Sequence, residues 1–298
     1  MRRETSSPFT KVNETFEGRL SDYEFVFVND GSYDNTPAVL KELVNNADHP
    51  VTVVNFSRNF GKESAILAGL HQATGDYISL IDGDLQQNPS FVLDMVSHLE
   101  ENEDCDCVCA YQENRKESPA MVFLKDGFYK IINRISETTF VSGASDFRTF
   151  RRNVAEAVMD LSEYRRFSKG LFSWVGFNTY YMPYTVEERL SGSSKWNVLK
   201  LFKYAFDGII AFTTKPLKLA TFAGLGTFTG AGVYALLKAV LKKGLEPYEK
   251  LIAVILAVSG MQLTATGIAS EYLARTYDQV KGRPVYIAKS VLTNKSDD

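Results

Sequence analysis

From Tyr23 onward the chain alternates short apolar runs with longer amphipathic ones. A polar opening stretch predicts a helix from Val12 to Leu20. Tyr23-Glu24-Phe25-Val26-Phe27-Val28 then predicts a strand, stopped by the turn residues Asn29-Asp30-Gly31-Ser32. Asn35-Thr36-Pro37 opens a helix running to about Ala47, with a capping residue and an early proline. Val51 to Phe56 predicts a second strand, Ser64 to Ala73 a helix, and Tyr77 to Ile81 a third strand. A helix from Pro89 to about Glu101 and a strand through Cys105, Cys107 and Cys109 follow. Strands and helices in this alternation predict an α/β domain with a mostly parallel sheet, whose ligands bind beyond the carboxyl ends of the strands.

The pattern changes farther along. Residues 120–136 predict a helix with Phe123, Phe128, Ile131 and Ile132 as its apolar stripe, and Ser142 to Arg148 predicts a small-residue turn entering a strand. Leu199, Phe202, Phe206, Ile209 and Ile210 recur at helical spacing, which suits an amphipathic helix on a membrane surface. Residues 219–237 and 251–270 then carry no charged side chain, and each is about the ~20 residues a membrane-spanning helix needs. Their many Gly, Ala, Ser and Thr residues suit close helix contacts and permit packing between protomers as a homo-oligomer. The alternative is a pair of buried helices in a soluble domain. Lysines and arginines on both outer flanks put the large domain on the cytoplasmic side of a cell membrane. The expected divisions are residues 1–195 as catalytic domain, 196–215 as juxtamembrane helix, 216–273 as two spans (about 217–240 and 251–271) and 274–298 as cytoplasmic tail.

Composition adds limits. A net charge of −3 gives no basis for nucleic-acid binding. The three cysteines, Cys105, Cys107 and Cys109, share one strand face and are too close in sequence for ordinary disulfides. Buried thiols in a reducing compartment are the simpler reading than a metal site. The first twenty residues hold no apolar segment that would read as a signal peptide.

The candidate chemistry lies at strand ends. Asp82, Asp84 and Gln86 stand at i, i+2, i+4 after the third strand, so on an extended backbone their oxygens can converge on a hard cation. A polar turn with capping aspartates is the plain alternative. Asp30 and Arg58 also follow strand ends, which brings polar groups from three strands to one edge and favours the metal reading. Downstream, Arg189 to Lys195 is a Gly/Ser loop bounded by cations, suited to a phosphate, and Arg165 and Arg166 add two more.

Taken together, Val28-Asn29-Asp30-Gly31-Ser32, Ser57-Arg58-Asn59-Phe60-Gly61-Lys62, Asp82-Gly83-Asp84-Leu85-Gln86, Ser145-Asp146-Phe147-Arg148, Arg189 to Lys195 and Glu271-Tyr272-Leu273-Ala274-Arg275 form an ordered set. That set resembles the family 2 glycosyltransferases acting on polyprenyl phosphates, above all the GtrB-like bactoprenol glucosyltransferases, relatives of dolichol-phosphate mannose synthase. It covers about residues 20–290. The resemblance implies a GT-A catalytic domain, a nucleotide-sugar donor such as a UDP-sugar, an undecaprenyl phosphate acceptor, Mg²⁺ or Mn²⁺, and a C-terminal two-helix transmembrane hairpin. It further implies Asp146 as catalytic carboxylate and Asp82, Asp84 and Gln86 as the metal and diphosphate site. Asp30, Arg58 and Lys62 match the donor side. Arg189, Ser193 and Lys195 match the loop over the phosphates, and Arg165 and Arg166 lie where acceptor phosphate could be met. Glucose is the expected sugar.

One departure stands out. The family opens with an apolar strand ending in Pro-x-Tyr/Phe-Asn-Glu, and this chain starts where the following helix would stand. The expectation is therefore an absent first strand with unpaired neighbours, from a recorded start downstream of the true one or from a truncated, non-catalytic membrane-anchored copy. A processive polysaccharide synthase is disfavoured, because Tyr164-Arg165-Arg166-Phe167 lacks the Gln and Trp of the Gln-x-x-Arg-Trp motif those enzymes carry.

Overall fold

In a computed structural model, residues 8–20, 22–83, 87–112, 133–134, 141, 143–184 and 247–295 are described, with 222, 224, 226, 229, 230 and 233. The chain divides into two units, one of residues 1–134, 138–201 and 284–298, the other of residues 135–137 and 202–283.

The first unit holds helices α1 (Pro8–Phe16), α2 (Thr36–Asn46), α3 (Lys62–Gln72), α4 (Ser90–Glu101), α5 (Arg152–Met159) and α6 (Ser168–Trp174). Its strands are β1 (Phe25–Asn29), β2 (Val51–Phe56), β3 (Tyr77–Leu80), β4 (Cys107–Gln112), β5 (Ala144–Arg151), β6 (Thr179–Tyr184) and β7 (Ala288–Thr293). The α/β alternation is thus present, and it builds two sheets, ordered β1-β2-β7 and β3-β5-β4-β6.

A mostly parallel sheet was expected, and the described ladders correct this. β1 with β2 and β4 with β6 run parallel, whereas β2 with β7, β3 with β5 and β4 with β5 run antiparallel. The cause is insertion. β5 enters between β3 and β4 from the opposite direction, and β7 closes the open side of β2 from the far end of the chain. Among the described strands, β1 and β3 each pair on one side only. The two strand starts are linked by the Glu24 carboxylate, which accepts from the Thr74 hydroxyl at 2.8 Å and the Gly75 amide at 3.2 Å.

Burial follows composition. All six residues of β2 are buried, which suits a strand covered on both faces and explains its near-continuous apolar run. Val44 of α2 joins Phe25, Val51 and Val53 in one cluster, while Met95 and Leu99 of α4 join Val108 and Phe147 in another. Fully burying such a side chain stabilises by about 1.5–3 kcal/mol. Cys105, Cys107 and Cys109 are buried free thiols, as expected. Burial pushes Cys107 up to about 12, which keeps it protonated and inert.

Residues 288–293, expected within a tail, instead form β7. Asn294 secures its end, accepting from the Val51 amide at 2.7 Å and donating to the carbonyls of Ala47 at 3.1 Å and His49 at 3.0 Å.

In the second unit the principal described element is α7 (Pro247–Val280). Leu251, Ile255, Leu263 and Leu273 are exposed on it. Among the described residues no helix is long and apolar enough to cross a membrane, so the expected hairpin is not supported there. The first expected span falls outside the described residues except at 222, 224, 226, 229, 230 and 233, as do the helix expected over 120–136, apart from Asn133 and Arg134, and the whole of that over 196–215.

Candidate active site

Two adjoining turns build one side of the site. β1 ends in Asn29, and the chain turns at Gly31 with φ +69°. A β-carbon at Gly31 would lie 2.4 Å from the backbone carbon of Arg58, so the turn after β1 touches the turn after β2 directly. Asp30 fastens the two. Its carboxylate accepts from the Phe60 amide at 2.6 Å, the Gly61 amide at 3.0 Å and the Asn59 side-chain amide at 2.8 Å. The carboxylate expected on the donor side is therefore engaged in shaping the second turn. Beneath it, buried Asn29 donates to Asn55 at 3.0 Å, and Asn55 donates to Ser290 of β7 at 3.3 Å. Arg58 is exposed and lies over the Phe60 ring at 4.1 Å. Gly61, at φ 97°, turns the chain so that Lys62 starts α3.

The other side comes from an antiparallel ladder. Leu80 of β3 pairs with Arg148 of β5. Continuing that register by two residues sets Asp82 opposite Asp146. Like charges directly opposed across a ladder repel. Here an ammonium lies between them: Lys62 Nζ is 2.7 Å from Asp82 Oδ1, 3.0 Å from Asp82 Oδ2 and 2.8 Å from Asp146 Oδ2. Three elements therefore deliver Asp82, Asp146 and Lys62 to one point.

Gln87 supports Asp82 from below. It is buried, accepts from the Asp82 amide at 2.9 Å and donates to Asp82 Oδ2 at 3.3 Å. Asp146 has further cations around it. Lys169 Nζ donates to the Ala144 carbonyl at 2.8 Å, and buried Arg148 donates to the Ser145 carbonyl at 2.9 Å while lying 4.4 Å over the Phe172 ring. Burial alone would raise the Asp146 carboxyl. The charges of Lys169 and Lys62, the Lys62 hydrogen bond and the charge of Arg148 outweigh it and hold that carboxyl below its ordinary value. Burial likewise lowers Lys62, but the charge and hydrogen bonds of Asp146 and Asp82 push it up. Asp146 is thus a fixed anion and Lys62 a fixed cation.

The remaining expected residues separate. Arg166 donates to the carbonyls of Leu161 at 2.7 Å and Val158 at 2.8 Å, closing the end of α5. Arg165 is exposed beside it. Glu63, next to Lys62, accepts from the Ser168 amide at 2.7 Å and from its hydroxyl, tying α3 to the start of α6. Asp84, Gln86, Arg189, Ser193 and Lys195 lie outside the described residues. Among the described residues no group of three metal-ligating side chains occurs. Asp82 is nonetheless a hard oxygen donor already holding one cation, which fits the chemistry Mg²⁺ or Mn²⁺ requires. Gln87 and Lys169 were not expected at the site, and Arg148 stood in the Ser145–Arg148 motif without a role of its own. The signal for Gln87 is its place as the second carboxamide after the acidic turn, and that for Lys169 its place just after Arg165 and Arg166.

Comparison with known proteins bears on this site. The profile of Glycosyl transferase family 2 matches residues 10–159. The prophage bactoprenol glucosyl transferase homolog of Escherichia coli is 36% identical over 290 residues, spanning 95% of this chain and 93% of that one. The bactoprenol glucosyl transferase of Shigella phage SfII is 36% identical over 288 residues, spanning 94% and 92%. Among solved structures, the mannosyltransferase PcManGT from Pyrobaculum calidifontis, in complex with GDP-Man and Mn²⁺, superposes with a TM-score of 0.44 at 17% identity, over 84% of this chain and 77% of that one.

Proposed function

The chain belongs to glycosyl transferase family 2, in its GtrB-like branch, and we propose that it transfers glucose from a UDP-sugar to undecaprenyl phosphate at a membrane. That it is a glycosyltransferase follows from the family; the donor, metal and membrane face are the added reading. The observation that carries it is the convergence of Asp82, Lys62 and Asp146 at the carboxyl end of β3, beside the paired turns after β1 and β2.

In this reading Asp82, with Asp84 and Gln86, holds Mg²⁺ or Mn²⁺, which when bound neutralises the departing diphosphate. The paired turns receive the nucleoside. The Asp30 carboxylate keeps the backbone of Asn59, Phe60 and Gly61 in place for that purpose, and Arg58 offers an exposed charge at the same edge. The nucleophile is an oxygen of the lipid phosphate, already largely dianionic at neutral pH because its second pKa is ~6. Asp146 therefore has little proton to remove and orients the sugar or the acceptor instead. Arg165, with Arg189, Ser193 and Lys195, meets phosphate charge; Arg166 supports Arg165 by closing α5. The exposed apolar residues of α7 and the uncharged stretch 251–270 support placing that helix against lipid.

The test is transfer from a panel of labelled UDP-sugars to undecaprenyl phosphate, by the full chain in detergent with Mg²⁺ or Mn²⁺. Labelled lipid from UDP-glucose is expected. Folded protein that stays silent with every donor refutes the reading and leaves a binding protein without turnover.

A further inference from the structure

Lys62 makes two carboxylate contacts, of which only the one with Asp146 is compatible with an occupied site. Its ammonium touches both oxygens of Asp82, at 2.7 and 3.0 Å, and one oxygen of Asp146, at 2.8 Å. Gln87 takes a further contact on Asp82 Oδ2 at 3.3 Å. A cation approaching Asp82 therefore meets a carboxylate whose two oxygens already face a positive charge. The contact with Asp146 is of another kind. Asp146 lies deeper than Asp82, with side-chain exposures of 21% and 40%. It is also held by the charges of Lys169 and Arg148. The Lys62 side chain itself is 48% exposed and rises from the first turn of α3, so its end is free to swing while its base is fixed.

We propose that Lys62 is an internal placeholder cation, which closes Asp82 onto Asp146 in the empty site and passes from Asp82 to the donor diphosphate as that enters, Asp146 keeping hold of it throughout. This deepens the donor reading above and rests on it. Charge sets the sequence. Two carboxylates at one register position need a cation between them when nothing is bound. Once a divalent cation neutralises Asp82, the ammonium is repelled from it and attracted to the incoming phosphates, while Asp146 limits how far it travels. Lys62 is then both a competitor of the metal and a ligand of the nucleotide.

The two roles predict opposite effects of one substitution. In the full chain, Lys62→Met is expected to bind Mn²⁺ alone more tightly than wild type, by about two- to fivefold, the scale of removing the one partly exposed ion pair, Lys62 with Asp82, that the metal must displace. The same variant is expected to bind UDP about tenfold more weakly in saturating Mn²⁺, a charge-assisted phosphate contact having been lost. Mn²⁺ is read by the free-ion paramagnetic resonance signal and UDP by calorimetry, so neither depends on turnover. Lys62→Arg keeps the charge and is expected to stay within about twofold of wild type for Mn²⁺. Wild type that binds both ligands while Lys62→Met binds Mn²⁺ no more tightly overturns the placeholder. An arginine variant that behaves like the methionine one overturns it too. Wild type that binds neither Mn²⁺ nor UDP sinks the donor reading itself.

Discussion

Replacing Gly31 by alanine tests whether the two turns form one unit. The added methyl meets backbone only: Arg58 C at 2.4 Å, Asn59 N at 2.6 Å and Arg58 O at 2.8 Å. Against a normal contact near 3.4 Å, the second turn must retreat by about 1 Å. Such a retreat stretches the Phe60 amide bond to Asp30 from 2.6 Å to about 3.6 Å, beyond hydrogen-bond range. The left-handed φ of +69° adds about 1 kcal/mol for a residue with a β-carbon. Losing one or two amide bonds to a carboxylate, discounted for partial exposure, adds about 2 kcal/mol. The total of about 3 kcal/mol is a large share of ordinary domain stability. Denaturant unfolding of the variant is expected to show that loss, and hydrogen exchange is expected to show faster amides at Phe60 and Gly61. Asp30→Asn separates the contributions: it keeps the glycine and one acceptor oxygen, so it is expected to lose about 1 kcal/mol. Wild-type midpoint and unchanged Phe60 exchange in Gly31→Ala would show that the turns are not coupled.

Three further outcomes are expected. Asp146→Asn is expected to lower kcat by about 10²-fold, the scale of one preorganised electrostatic group, with little change in KM; unaltered turnover removes Asp146 from the reaction. Glu63 is buried, which raises its carboxyl despite the Ser168 hydrogen bonds and the charge of Lys62, Asp146 adding to the rise. Its ionised form therefore costs stability at neutral pH, and that cost disappears as pH falls through its folded value to the ordinary 4.5. Glu63→Gln keeps an acceptor for Ser168, so its melting temperature is expected to exceed wild type at pH 7 and to match it below pH 4.5; a lower melting temperature at pH 7 counts against this. Arg166→Ala is expected to lose about 1–3 kcal/mol in a thermal melt, and Arg165→Ala to raise KM for the lipid phosphate; an unchanged melt for the first or an unchanged KM for the second counts against these roles.

Much of the first unit was legible because it is local. β1, β2, β3 and α2 to α4 follow period and turn residues, and their observed ends differ from the expected ones by one or two residues. The sheet order was not legible, since it depends on pairings between distant segments. Nothing in Ala144–Arg151 says that it runs against β3 rather than along it, and nothing in Ala288–Thr293 says that it reaches β2. The same holds for the site. Asp82 and Asp146 can be picked out singly from their motifs, yet their opposition appears only once the register is known. Lys62 was legible as a donor-side cation, but its position between two carboxylates was not. Asp30 was read as a ligand-facing acid, whereas the close approach at Gly31 turns it into the fastener of the neighbouring loop.

The charge arrangement also bears on how the reaction is divided among residues. A general base near neutral pH needs a carboxyl raised toward that pH. Asp146 is shifted the other way, by Lys169, Lys62 and Arg148 acting against its burial. A group so strongly held as an anion is a poor proton acceptor and a good fixed counter-charge. The acceptor phosphate has little need of a base, because it is mostly deprotonated before it arrives. What opposes reaction between a nucleotide diphosphate and a lipid phosphate is repulsion between two multiply charged anions. The site meets that difficulty with cations kept at set positions: Lys62 and Lys169 around Asp146, Arg148 buried beneath it, and Arg58 exposed at the adjoining turn. In the proposed reaction Asp146 would then act less on protons than on lysines, keeping positive charge where the two phosphates must meet.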